Sequence, residues 1–123
     1  MKKFNEEFAV GKNGIGWMSS TFAGAFKNAE FEPAPVPTYQ KLPRSMADAQ
    51  IESALKPGMC ALGDVLAFLD NAPDECKDGN WNLFYFPSFV AHARWYGSEW
   101  NVDAWERGGH GWRAGIRVFS PAN

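Results

Sequence analysis

The sequence predicts one α+β domain: two short helices packed on one face of a C-terminal antiparallel β-meander of three or four strands, preceded by a Phe- and Gly-rich N-terminal arm. Three observations lead there. Apolar spacing follows a helical period before residue 72 and a period of two after residue 80. Tyr96-Gly97-Ser98-Glu99 is a two-residue hairpin signal. A chain of 123 residues holds one core of ordinary size, whereas two cores would each be marginal.

Taken in order, residues 1–32 form the arm. Phe22, Phe26 and Ala29 share a stripe of a short helix begun by Ser19 or Ser20. Residues 33–43 are a connector in which Pro33, Pro35, Pro37 and Pro43 favour extended backbone. Residues 44–72 hold the two helices. Ser45-Met46-Ala47-Asp48 reads as a cap with a carboxylate three positions on, and that helix ends at Lys56-Pro57-Gly58. In the second helix Leu62, Val65, Leu66 and Leu69 keep core-facing spacing, and Asn71-Ala72-Pro73 stops it. Residues 80–120 carry the sheet, with strands expected over 81–86, 89–96, 99–106 and 112–119.

Register converts these strands into two faces. Gly97 at the first central position of a type II′ turn sets Tyr96 opposite Glu99 and Trp95 opposite Trp100. Ala93 then meets Val102 and Ala91 meets Ala104, so this face is apolar. The alternate face pairs Arg94 with Asn101, His92 with Asp103, and Val90 with Trp105. Beyond the Gly-rich 107–111 segment, parity places Ala104 by Ala114, Val102 by Ile116 and Trp100 by Val118, and Trp105 by Arg113 with Asn101 by Arg117. Pro87 cannot take the positive φ of a primed turn, so 86–89 is either a longer connection or a tight one. In the tight case Trp81, Leu83 and Tyr85 join the face of His92 and Arg94.

The apolar face belongs against the helices. The other combines Trp81, Tyr85, His92, Arg94, Tyr96, Asp103, Trp105, Arg113 and Arg117. Large aromatics among arginines make either a second core, closed by the N-terminal arm, or a binding surface. The nine residues are the candidate binding surface, and no catalytic or metal-ligating set is assigned.

Composition narrows the function classes. Twelve basic against fourteen acidic side chains give no strong field, which disfavours nucleic acid. Cys60 and Cys76 form no metal-ligand spacing and are expected to be reduced structural thiols. The N-terminal Met1-Lys2-Lys3-Phe4-Asn5-Glu6-Glu7 lacks an apolar h-region and no run reaches spanning length. The expected compartment is therefore the cytoplasm, without membrane contact.

The expected function is a small non-catalytic protein-binding or regulatory module without a cofactor. A protein is the expected partner, and self-association is a further option. One alternative is single-stranded nucleic acid on the aromatic and Arg face. Another is a small enzyme using His92 oriented by Asp103, with His110 as a mobile second imidazole. Trp100-Asn101-Val102-Asp103-Ala104-Trp105 and Gly111-Trp112-Arg113-Ala114-Gly115-Ile116-Arg117-Val118-Phe119-Ser120 resemble, in general style, small proteins encoded by phage and prophage genomes. That likeness transfers no residue roles.

Overall fold

The computed structural model describes residues 1–108 and 111–122. In chain order the elements are β1 (Lys2–Lys3), α1 (Phe4–Glu7), β2 (Ile15–Met18), α2 (Ser20–Phe26), β3 (Glu30–Phe31), β4 (Thr38–Lys41), β5 (Met46–Ala47), α3 (Asp48–Leu55), α4 (Leu62–Asn71), a 3-10 turn (Asp74–Cys76), β6 (Asn82–Tyr85), β7 (Phe89–Tyr96), β8 (Glu99–Glu106), β9 (Gly111–Trp112) and β10 (Arg117–Ser120). The fold is mixed α+β, as expected, but its sheet is larger than a meander. Six strands run in the order β2-β8-β7-β6-β10-β4, and the pairs β1–β3 and β5–β9 stand apart from them.

The β7–β8 hairpin has the register expected from its turn, from Tyr96 opposite Glu99 through Trp95 opposite Trp100 to Val90 opposite Trp105. Gly97 takes φ +69°, a value easy for glycine and costly for most other residues. The Trp95 and Trp100 rings meet edge to face at 5.0 Å, as a close non-hydrogen-bonded pair allows. The connection before β7 is tight: the Phe86 N–H donates to the Phe89 carbonyl at 2.9 Å. Leu83 therefore lies opposite His92 and Tyr85 opposite Val90, on the same face.

Strand neighbours beyond the hairpin differ from the expected order. β8 is flanked by β2 in parallel, with Ile15 beside Trp100 and Met18 beside Val102. β10 crosses to the far side and inserts between β6 and β4, parallel to the former and antiparallel to the latter. Its faces are consequently reversed from the expected ones. Phe119 enters the first-face core between Phe68 and Phe84, at 4.7 Å and 4.9 Å, while Ile116 and Val118 join the second. The parity of apolar side chains fixes a register only between strands that are neighbours, and the parallel strand from the arm already occupies that flank of β8. Positive φ at Gly108 and Gly115 helps the chain turn away instead.

The helices also divide between the faces rather than sharing one. α4 supplies Leu62, Val65, Leu66, Phe68 and Leu69 to the first core, where Phe4, Phe8, Phe22 and Phe31 of the arm join them. α3 brings Ile51 to the second, beside Leu42, Met46, Trp112 and Ile116. The N-terminal arm therefore thickens the first layer and does not close the second face. Ser19 caps α2 by accepting from the Phe22 N–H at 3.0 Å, as its spacing suggests.

Close packing of the arm on α4 passes through one glycine. A Cβ at Gly63 would stand 2.2 Å from the Glu32 carbonyl oxygen, a backbone atom that cannot swing aside. Gly24 in α2 has nothing within 4 Å of its Cβ position. Urea denaturation of Gly63→Ala should show a loss of about 1–3 kcal/mol from overpacking. Gly24→Ala should gain about 0.5–1 kcal/mol from helix propensity. Equal effects at the two sites would contradict this packing.

Candidate functional site

The second face has a covered half and an open half, and Asp48 organises the covered one. Its carboxylate is buried, although it stands at the first turn of α3, where a solvated helix-capping role would be ordinary. One oxygen accepts from the Tyr85 hydroxyl at 2.6 Å and from the Trp112 indole N–H at 2.9 Å. The other accepts from the Gly108 amide at 2.6 Å. Capping at this end falls instead to Gln50, whose side chain accepts from the Ala47 N–H at 2.9 Å. Burial, and then the bond to Asp48, push the Tyr85 hydroxyl far above its ordinary range, so it stays protonated and donating.

Around this carboxylate the covered half closes by aromatic packing. His92 is fully buried, its ring edge-on to Trp81 at 4.4 Å, Trp105 at 4.6 Å and Trp112 at 5.7 Å. Trp105 and Trp112 stack at 5.3 Å. Arg107 finishes the rim: it pairs with Glu52, lies over the Tyr85 ring, and donates to the Phe86 and Pro87 carbonyls at 3.1 Å and 3.3 Å.

The structure thus sorts the nine candidate residues. Tyr85 and His92 are buried beneath α3 and Trp112, out of reach of a partner. Arg117 is buried too, and the reversed face of β10 turns it away from the candidate surface altogether. It donates to both Asp78 oxygens at 3.0 Å and 2.6 Å, and to the Glu75 carbonyl. The guanidinium holds the Asp78 carboxyl well below the usual carboxylate range. Arg113 is exposed on the segment after β9, and among the described residues no strand pairing sets it beside Trp105. Trp105 is half-buried in the aromatic cluster.

The remaining four, Trp81, Arg94, Tyr96 and Asp103, line one open groove of about 580 Å³, together with Gly16, Trp17, Glu99 and Asn101. Trp17 is 47% exposed and Tyr96 65%. The Arg94 guanidinium lies over the Trp81 ring at 4.7 Å and the Tyr96 ring at 5.6 Å. Asp103, directly opposite His92, accepts from the Ala104 amide at 2.8 Å. Trp17 is the functional candidate that pattern reading missed. Its strand has four residues and is interrupted by a bulge, too short for a two-residue period to show.

Other chemistry finds little support in the arrangement. His110 lies outside the described residues. Among those described, no group of His, Cys, Asp or Glu side chains is placed to hold a metal ion, and no helix is long and apolar enough to cross a membrane. Both cysteines are free and buried, and burial pushes the Cys60 thiol up to about 12, which removes its nucleophilic thiolate near neutral pH.

The covered half predicts a stability signature. Asp48→Ala strands three donors, two of them buried side chains, and should lower unfolding free energy by about 3 kcal/mol. Tyr85→Phe, which removes one donor only, should cost about 1 kcal/mol. Equilibrium unfolding checks both, and an Asp48→Ala protein as stable as the parent would refute the network's structural role.

No family model matches the chain, and comparison with curated proteins and with solved structures returns no match.

Proposed function

We propose that this chain is a non-catalytic binding module that receives a protein partner on the open half of its second sheet face. The observation that carries the reading is the exposure of Trp17 and Tyr96 on a paired, rigid sheet beside an arginine already ordered by two rings. Tryptophan, tyrosine and arginine are the types over-represented where truncation costs most binding energy. Tryptophan and tyrosine have only two side-chain torsions each and lose little entropy on association. The covered half supports the same view from the other side. Folding has already used its apolar surface, whereas the groove's rings remain in water.

Two rival chemistries fit the groove less well. Glu99 and Asp103 stand among the rings where a phosphate backbone would have to pass, which opposes nucleic acid. The imidazole of His92 is packed under three tryptophans, which opposes its use as a base on a bound substrate.

The test is affinity capture from an extract of the native host, read by mass spectrometry. It compares the parent with a Trp17→Ala/Tyr96→Ala double variant whose near-ultraviolet circular dichroism outside these two side chains is retained. Loss of the partner by tenfold or more, about 1.4 kcal/mol at the least, is expected. Undiminished capture by the folded double variant would overturn the reading.

A further inference from the structure

The groove's own chemistry narrows what its partner presents. Tyr96 stands on β7 opposite Glu99, and Trp17 stands on β2 opposite Asn101. The two exposed rings therefore flank β8 from the strands on either side. Two interstrand spacings, roughly 9–10 Å, and an offset of two residues along β8, roughly 7 Å, set the rings diagonally across that strand, with room for one side chain between them. The floor of that slot is Glu99 and Asn101.

The Glu99 carboxylate lies over Gly16 of β2. A Cβ at Gly16 would fall 1.8 Å from the Glu99 carboxyl carbon, so the carboxylate occupies space that only glycine leaves free. It lies across β2 beside Trp17. Among the described residues, no lysine or arginine forms an ion pair with Glu99 or with Asp103. The groove's one guanidinium, Arg94, is stacked on Trp81 and Tyr96 instead. Two carboxylates against one cation leave the groove net negative, and both aromatic faces and carboxylates favour a positive guest. An anionic guest meets repulsion, and a neutral one leaves the charge unused.

We infer that the partner inserts an arginine side chain between Trp17 and Tyr96, with its guanidinium on the Glu99 carboxylate. Arginine suits the slot better than lysine. A planar guanidinium stacks on a ring while pairing edge-on with a carboxylate, which a point-charge ammonium cannot do. The inference rests on the proposed binding role of the groove and adds the chemistry of the guest.

The test uses three blocked tripeptides, acetyl-Gly-Arg-Gly-amide and its lysine and glutamate counterparts, titrated while the Trp17 indole resonance is followed by NMR. The arginine peptide should give a saturable shift, weakened by salt, with lysine weaker and glutamate giving none. Glu99→Gln should weaken arginine-peptide binding about tenfold, the loss of a charge-assisted pair. Gly16→Ala should do the same by displacing the carboxylate while leaving Trp17 in place. The absence of a saturable shift with the arginine peptide, an equal response to glutamate, or unchanged binding in Glu99→Gln would each overturn the inference. Partner capture separates its failure from that of the underlying reading. If the Trp17→Ala/Tyr96→Ala protein loses its partner and Glu99→Gln keeps it, the groove binds without an arginine. If neither loses it, both fall.

Discussion

Tyr85 from β6, and Gly108 and Trp112 from either end of the connection between β8 and β9, all donate to the one buried carboxylate of Asp48. Taking a carboxylate out of water is unfavourable unless its lone pairs are met, and here three donors meet them. Meeting them fixes more than the carboxylate. The start of α3 is held down on the sheet, the end of β8 is tied to it, and the Trp112 indole is laid over His92 and Trp105. Because β9 pairs with β5 immediately before α3, the same bond sets where the chain re-enters the sheet as β10.

That closure gives the second face its unequal halves. Toward β6 and β10 the apolar side chains are roofed by α3, Trp112 and Ile116. Toward β2 the roof ends, and the same strands present Arg94, Tyr96, Glu99 and Asn101 to water beside Trp17. The first face has no such division. The arm and α4 bury it under phenylalanines whose rings contact one another in series, from Phe4 through Phe8, Phe22 and Phe26 to Phe86 and Phe89. A molecule with one packed face and one half-packed face carries its most exposed rings, Trp17 and Tyr96, in a single place, and the proposed binding role rests on that placement rather than on any motif.

The legible part of this architecture was the local part. Gly97 and the alternation around it set the β7–β8 register without reference to the rest of the chain, and the α4 stripe of Leu62, Val65, Leu66 and Leu69 reads directly as a buried helix face. Five of the groove's residues, Arg94, Tyr96, Glu99, Asn101 and Asp103, follow from that register alone. Long-range choices were not legible. Nothing in the tail says that β10 will lie beside β6 rather than β8, since both flanks offer apolar partners, and the outcome depends on the distant β2 taking the open flank of β8. Asp48 reads as a capping residue because a carboxylate at a helix start ordinarily is one. Its inward role depends on Tyr85 and Trp112, which only the assembled fold brings near. Trp17 sits among glycines in a strand too short to show a period.

The division of the second face into a closed and an open half is tested most directly by hydrogen exchange of the tryptophan indole N–H groups, followed by NMR. The Trp112 indole, bonded to Asp48 at 2.9 Å inside the covered half, should exchange slowly and be released only by unfolding, whereas the exposed Trp17 indole should exchange rapidly. Trp112 exchanging as fast as Trp17 in the folded protein would contradict the account.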